Sequence, residues 1–328
     1  MNVYIDKSNL LSVIHSVNHD KYNDCMRMLK DNYNIFFTFS KNEIDGEDKK
    51  DILLWLTRMA EGVNRKEHIK WGSDFPKRPL DTSTFKPSEL SSVYCLSRDK
   101  DSELESCINK GNLIIACEGQ EIDKLSSLFF DSYQYTRNIF HKVKSWKDLN
   151  QYTSPCTDII ITDMYLFSNP ELYQQNIYSL IRVLGTKNTH INIVIFTLKS
   201  QYNKDNKTEF VPDWDNIYTK IRKCADKHSS FNVTFVTASK ETLEEHDRTI
   251  FTNYKSYSSG DSYNYFDTNG NKITNGRHLH VHSHADNDNE VDSIKFLEDM
   301  QNIINSINKL NNSSLIKKDK KSNFLKFS

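Results

Sequence analysis

The chain lacks a dominant charge: 43 Lys and Arg stand against 44 Asp and Glu, a formal net charge of −1 over 328 residues. No chain-wide positive field announces a nucleic-acid binder, so any anion-binding patch must be local. Paired cysteines are missing too. The six cysteines, Cys25, Cys95, Cys107, Cys117, Cys156 and Cys224, are scattered with no CxxC pair and no metal-like spacing, and they read as reduced cytosolic thiols. No apolar run approaches the roughly 20 residues that a membrane span requires, and mean hydropathy is −0.67. The first six residues carry no signal peptide and no internal repeat is visible, so a cytoplasmic protein without a transmembrane segment is expected.

What the chain does have is alternation. Its length suits two domains, since single cores usually stop growing at roughly 250 residues. In the first half, short β-like runs at 3–6, 34–39, 93–96 and 113–116 alternate with helical spacings such as Ile52, Leu53, Leu56 and Met59, which argues for a sheet covered by helices. In the second half, Asp158-Ile159-Ile160-Ile161-Thr162-Asp163 is a continuous β-branched run, as a strand buried on both faces should be. Further strands are expected at 191–198, 231–237 and 279–282, and helices at 172–184, 215–228 and 292–310. Segments 246–254 and 263–266 read as a hairpin. The fold class is therefore α/β in two units: an α/β domain of unknown role over 1–150, a second unit over 151–311, and a basic disordered tail over 312–328 that contains Lys317, Lys318, Lys320 and Lys321.

The chemistry concentrates in the second half. Alternate residues of one strand project on the same side, so His246 and Arg248 can face one phosphate together, with Asn264 arriving from the paired strand. A neutral imidazole can attack phosphorus while a guanidinium neutralises the equatorial oxygens.

Residues 246–264 resemble the phosphodiester motif of phospholipase-D-like proteins, which reads HxK, four residues, Asp, six residues, Gly-Ser and an Asn three after the Ser. Here His246-Asp247-Arg248 stands for HxK, Asn253 for the Asp, Gly260-Asp261 for Gly-Ser and Asn264 for the final Asn. Thr162-Asp163-Met164-Tyr165 and Ile193-Val194-Ile195-Phe196-Thr197 precede it in the order found in the C-terminal domain of MIT-domain proteins and its bacterial standalone relatives. The similarity spans residues 158–266, a third of the chain.

That resemblance implies a mixed sheet flanked by helices, and a metal-independent phosphodiesterase or nuclease without a required cofactor. His246 would be the nucleophile, Arg248 and Asn264 would hold the phosphate, and Asn253 would stand in the orienting position. Asp163, Asp247 and Gly260 would line the substrate, which would be nucleic acid or another phosphodiester. Such enzymes combine two motifs in one site and one copy is visible here, so a homodimer is implied. The bacterial relatives imply a defence setting. Two departures bear on activity: an amide at Asn253 cannot stabilise an imidazolium as a carboxylate does, and Arg replaces a compact point charge with a fork. The competing reading is a non-catalytic module binding a phosphorylated ligand, a lipid head group or a protein partner.

Two further groups invite metal chemistry. His278, His280, His282 and His284 alternate along one predicted strand, so all four would share a face on which a divalent metal could bind. In the first half, Asp6 together with Glu43, Asp45, Glu47 and Asp48 could form a carboxylate cluster for Mg²⁺. The bland readings are a polar sheet face for the histidines and a solvated loop for the acids.

Overall fold

The structure, a computed structural model, describes residues 1–61, 68–72, 85–97, 102–131, 133–203, 206–243, 248–273, 278–310 and 315–327. His246 and Asp247 lie outside the described residues. The fold is mixed α/β with two sheet units, as expected. One unit comprises Met1–Tyr135 with Ser283–Glu290, the other Thr136–His282 with Val291–Ser328.

The first unit is built on β1 (Asn2–Ile5), β2 (Asn34–Phe37), β3 (Ile69–Trp71), β4 (Val93–Cys95) and β5 (Ile115–Ala116), with α1 (Lys7–His15), α2 (Tyr22–Asp31), α3 (Gly46–Ala60), α4 (Pro87–Leu90), α5 (Ser102–Lys110) and α6 (Glu121–Ser126) between them. All four strand pairings are parallel and the order is β3-β2-β1-β4-β5. Parallel neighbours need crossovers, which the helices supply. β1 thus lies between a strand pair reached on one side and a pair reached on the other. That reversal is the topological switch point of an open sheet.

The second unit holds an eight-stranded sheet in the order β15-β11-β8-β7-β12-β13-β14-β6. Its strands are β6 (Thr136–Asn138), β7 (Asp158–Thr162), β8 (His190–Leu198), β11 (Ser230–Ala238), β12 (Arg248–Thr252), β13 (Lys255–Ser259), β14 (Leu279–Ser283) and β15 (Ile316–Lys318), while β9 (Gln201–Asn203) and β10 (Thr208–Phe210) form a separate pair. Helices α7 (Ser179–Gly185), α8 (Trp214–Arg222), α9 (Lys240–Leu243) and α10 (Asn287–Lys309) complete it. β7, β8 and β11 run parallel, and the all-buried β7 confirms the reading of its β-branched run. β12 lies antiparallel to β7.

Several expectations are corrected. The partner of β12 is β13, paired from Arg248↔Ser259 to Phe251↔Ser256, and not the segment 263–266. The chain reverses tightly at 252–255, where Thr252 Oγ1 donates to Lys255 O at 2.7 Å. The buried face of β13 is Lys255, Tyr257 and Ser259, so its period of two carries little apolar signal. The boundary placed at 150 falls earlier, because β6 pairs with β14 and Lys255 Nζ and Tyr257 Oη both donate to Tyr152 O. The basic tail is ordered through 315–327: β15 pairs antiparallel with β11, and Phe324 and Leu325 are buried.

The tail is held by Asp158, fully buried, whose carboxylate accepts from Ser322 Oγ (2.7 Å), Asn323 N (2.7 Å) and Asn323 Nδ2 (2.8 Å). A buried charge persists only when its lone pairs are satisfied, and the tail supplies the donors. Lys255 is the opposite case, a buried cation whose pKa falls to about 7 because burial, and then the like charge of Lys187, disfavours the ammonium. The unfolded chain binds more protons than the folded one between pH 7 and the ordinary lysine value, so stability rises with pH across that window and the penalty is fully present below it. Lys255→Met is predicted to remove that rise. The check is denaturant unfolding of wild type and variant at pH 7 and pH 10, with the difference between them shrinking as pH increases.

Candidate functional site

The carboxyl end of β7 is where the second unit gathers its polar groups. The backbone N–H of Asp163 still reaches across the ladder to Phe196 O at 3.2 Å. Its carboxylate is 2% exposed and is consumed locally: Oδ1 accepts from Tyr165 N (2.9 Å), and Oδ2 from Ser262 Oγ (2.6 Å) and Tyr263 N (2.9 Å). Burial raises its pKa, opposed by these hydrogen bonds and by the positive charge of Arg248. Asp163, expected to line the substrate, is therefore a bracket that ties the 262–264 turn to the end of β7.

The turn so held positions the next residues. Tyr263 Oη lies 2.9 Å from Arg248 O and 2.7 Å from Tyr257 O, so one buried hydroxyl locks the start of β12 to β13. Asn264 Nδ2 donates to Tyr165 O (3.2 Å), Leu166 O (3.3 Å) and Ser262 Oγ (3.2 Å), while its Oδ1 has no hydrogen-bond partner among the described residues. The side chain of Arg248, half-buried at the first position of β12, makes one hydrogen bond among the described residues, from Nη1 to Gly260 O at 3.4 Å. A guanidinium carries five N–H donors. Most of its binding capacity is left over.

Gly260 leaves room for a neighbouring imidazole. A Cβ at this position would come within 2.8 Å of the imidazole Cε1 of His278. Arg248 and His278 thus both lie against Gly260. The structure brings together Asp163, Arg248, Gly260 and Asn264, and adds His278. It does not bring in Asn253, which follows the far end of β12. Its Oδ1 accepts from Thr157 N at 2.8 Å and its Nδ2 donates to Thr157 Oγ1 at 3.1 Å. At about 3.3 Å per residue, the length of β12 separates Asn253 from Arg248, and Asn253 anchors the start of β7.

The histidine run is corrected in part. His278, His280 and His282 do alternate along one face, with ring centroids 5.0 Å and 5.8 Å apart. Both nitrogens of His282 are engaged, Nε2 with Ser258 Oγ at 3.0 Å and Nδ1 with Thr136 Oγ1 at 3.2 Å. Burial, and then the neighbouring imidazole, lowers the pKa of His280 and of His282. His284 is buried and falls in the first unit. Among the described residues no group of three or more His, Cys, Asp or Glu is arranged to hold a metal ion. Three of the acids of the first unit are engaged by protein groups: Glu43 Oε1 accepts from Ser40 N, and Asp45 and Asp48 both pair with Lys7 Nζ, at 3.5 Å and 2.8 Å.

A small pocket at the carboxyl ends of β7 and β8 is lined by Thr162, Asp163, Met164, Phe196, Leu243, Met300 and Ile303. Open α/β sheets place ligands at this end of their strands. Its lining is mostly apolar, and Asp163 is the one charged residue among those that line it. Among the described residues no helix is long and apolar enough to cross a membrane.

Ser262 and Tyr263 were not visible as site residues in the sequence, because the acid they hold lies a hundred positions away. The one available signal was the repetition Tyr257, Tyr263, Tyr265, all fully buried. Asp163→Asn is predicted to cost roughly 2–3 kcal/mol, since an amide presents N–H groups to donors that need an acceptor. Urea unfolding measures the loss, and an unchanged midpoint would remove Asp163 from its bracketing role. No family model matches the chain, and no curated protein matches it.

Proposed function

We propose that the second unit is a phospholipase-D-like phosphodiester-binding domain in which Arg248 anchors the phosphate and nucleic acid is the ligand class. The observation that carries this reading is the half-buried guanidinium of Arg248, which uses one of its donors on Gly260 O and faces no engaged carboxylate within hydrogen-bond reach among the described residues. Charge-assisted, bidentate recognition of phosphate is what a free guanidinium fork does best. The resemblance of 246–264 to the phosphodiester motif supplies the same assignment from the sequence side and places His246 two residues from Arg248.

Binding is favoured over rapid cleavage by one specific observation. Asn253, the residue in the orienting position of the motif, is spent on Thr157 at the far end of the strand. A nucleophilic imidazole that lacks an orienting carboxylate loses both its fixed tautomer and the stabilisation of its charged form. Cleavage, where it occurs, would proceed through attack by His246 without a metal, in a homodimer that pairs two such motifs and in the defence setting implied by the bacterial relatives.

The test is binding and cleavage of labelled single- and double-stranded DNA and RNA in EDTA. Wild type is expected to bind, and Arg248→Ala to weaken binding by about 10- to 100-fold, the loss of one charged hydrogen-bonding group of roughly 1.5–3 kcal/mol. His246→Ala is expected to retain binding and to abolish any EDTA-resistant cleavage. Equal affinity of Arg248→Ala and wild type would overturn the reading.

A further inference from the structure

The histidines of β14 divide into two kinds, and the division extends the phosphodiester reading, on which the inference drawn from it rests. His282 is structural, since Ser258 of β13 and Thr136 of β6 engage both of its nitrogens. His280 and His278, the latter immediately before β14, are different. Among the described residues no ring nitrogen of either makes a hydrogen bond, and the histidines paired with carboxylates are His15 and His19. Both rings belong to half-buried residues and so are in part open to solvent.

The two open rings stack on each other, with centroids 5.0 Å apart and planes inclined by 29°. They are also tied to Arg248 through a single residue. The imidazole of His278 covers the place a side chain would take at Gly260, with Cε1, Nδ1 and Nε2 2.8, 3.2 and 3.3 Å from a Cβ built there. The backbone N–H of Gly260 donates to His278 O at 3.5 Å, while Gly260 O accepts from Arg248 Nη1 at 3.4 Å. The covalent geometry of Gly260 then keeps that guanidinium nitrogen within about 10 Å of the His278 ring. Arg248, His278 and His280 thus form a row of N–H-bearing groups, none of them hydrogen-bonded or ion-paired to a carboxylate among the described residues.

Such a row suits an extended anion. An imidazole N–H donates to a phosphate oxygen, and more strongly once the ring is protonated. His280 lies about 7 Å beyond His278 along the strand, so the row continues past the phosphate that Arg248 holds. We propose that the phosphodiester backbone of the ligand runs from Arg248 over His278 and His280 along β14, with both imidazoles donating to phosphate oxygens and Gly260 as the spacer that gives His278 its place. The ligand is then an oligonucleotide and not a mononucleotide. Burial, and then the like charge of His278, lowers the pKa of His280, so the free pair resists a second proton. A phosphate beside the rings favours their protonated forms. Affinity is therefore greatest below the ordinary imidazole range, around pH 6.5, and falls as pH rises through it, with protons taken up on binding. The surroundings keep that sign. Asn138 of β6, directly opposite His280, and Ser258 of β13 are uncharged, Arg137 lies opposite Val281, Asp292 of α10 acts on His282, and Asp261 follows Gly260 exposed to solvent.

The experiment titrates the full chain, in EDTA and at fixed ionic strength, with a labelled oligothymidylate, whose bases do not titrate near neutrality. Wild type is expected to bind about 10-fold tighter at about pH 6 than at about pH 8. A thymidine dinucleotide with one phosphodiester is expected to show a weaker pH response. His278→Ala is expected to lose most of the oligothymidylate response, and so is His278→Gln, which keeps an N–H donor that cannot be charged. The Cε1–H resonance of His278 is expected to titrate at higher pH with the oligonucleotide bound than without it. Failure of wild type to bind at either pH would overturn the phosphodiester reading and the backbone path with it. Binding that needs Arg248 but is independent of pH, or an unchanged pH response in His278→Ala, would overturn the path alone. Should both variants fail to fold, the Cε1–H titration of wild type decides, and a titration unmoved by the oligonucleotide overturns the proposal.

Discussion

A carboxylate removed from water at the end of β7 is the constraint on which the second unit's polar site depends. Asp163 is tolerated there only because Tyr165, Ser262 and Tyr263 bring it donors, and in doing so they fix the turn that carries Asn264. Tyr263 then reaches the first carbonyl of β12. The position of Arg248 follows from this chain of contacts, not from any contact with a ligand. A turn tied to a buried carboxylate by three hydrogen bonds is held in place, and a fixed support is what lets a guanidinium discriminate geometry as well as charge.

The same device appears at the other end of the sheet. Asp158, also buried, collects donors from Ser322 and Asn323 and so recruits the tail as structure. Asn253 completes that end through Thr157. β7 is thus bounded by two buried acids that organise distant segments, one tying down the tail and the other shaping the turn beside Arg248. The two residues that a motif reading grouped as partners, Asn253 and Arg248, serve opposite ends.

Legibility followed the range of the forces involved. β7, β8 and β11 could be read directly because a strand buried on both faces must be continuously apolar, and Ile159, Ile160, Ile161 and the run from Ile191 to Phe196 say so. The period of two in the histidine run was equally plain, and it did place His278, His280 and His282 on one face. β13 was missed because Lys255 and Ser259 occupy its buried face, satisfied by Tyr152 O and by Tyr265 Oη across the fold. The tail was missed because its lysines look solvated, while the groups that order it, Asp158 and β11, are far away in sequence. Steric dependence is the least legible of all: nothing near Gly260 announces that His278 will lie where a side chain would be.

The central claim is that Arg248 anchors a phosphodiester. The most direct measurement is a crystal structure of the full chain with a short oligonucleotide bound. A phosphate oxygen within hydrogen-bond distance of the Arg248 guanidinium, on the side away from Gly260 O, is the predicted result. An oligonucleotide seated elsewhere, with Arg248 making no contact to it, would contradict the claim.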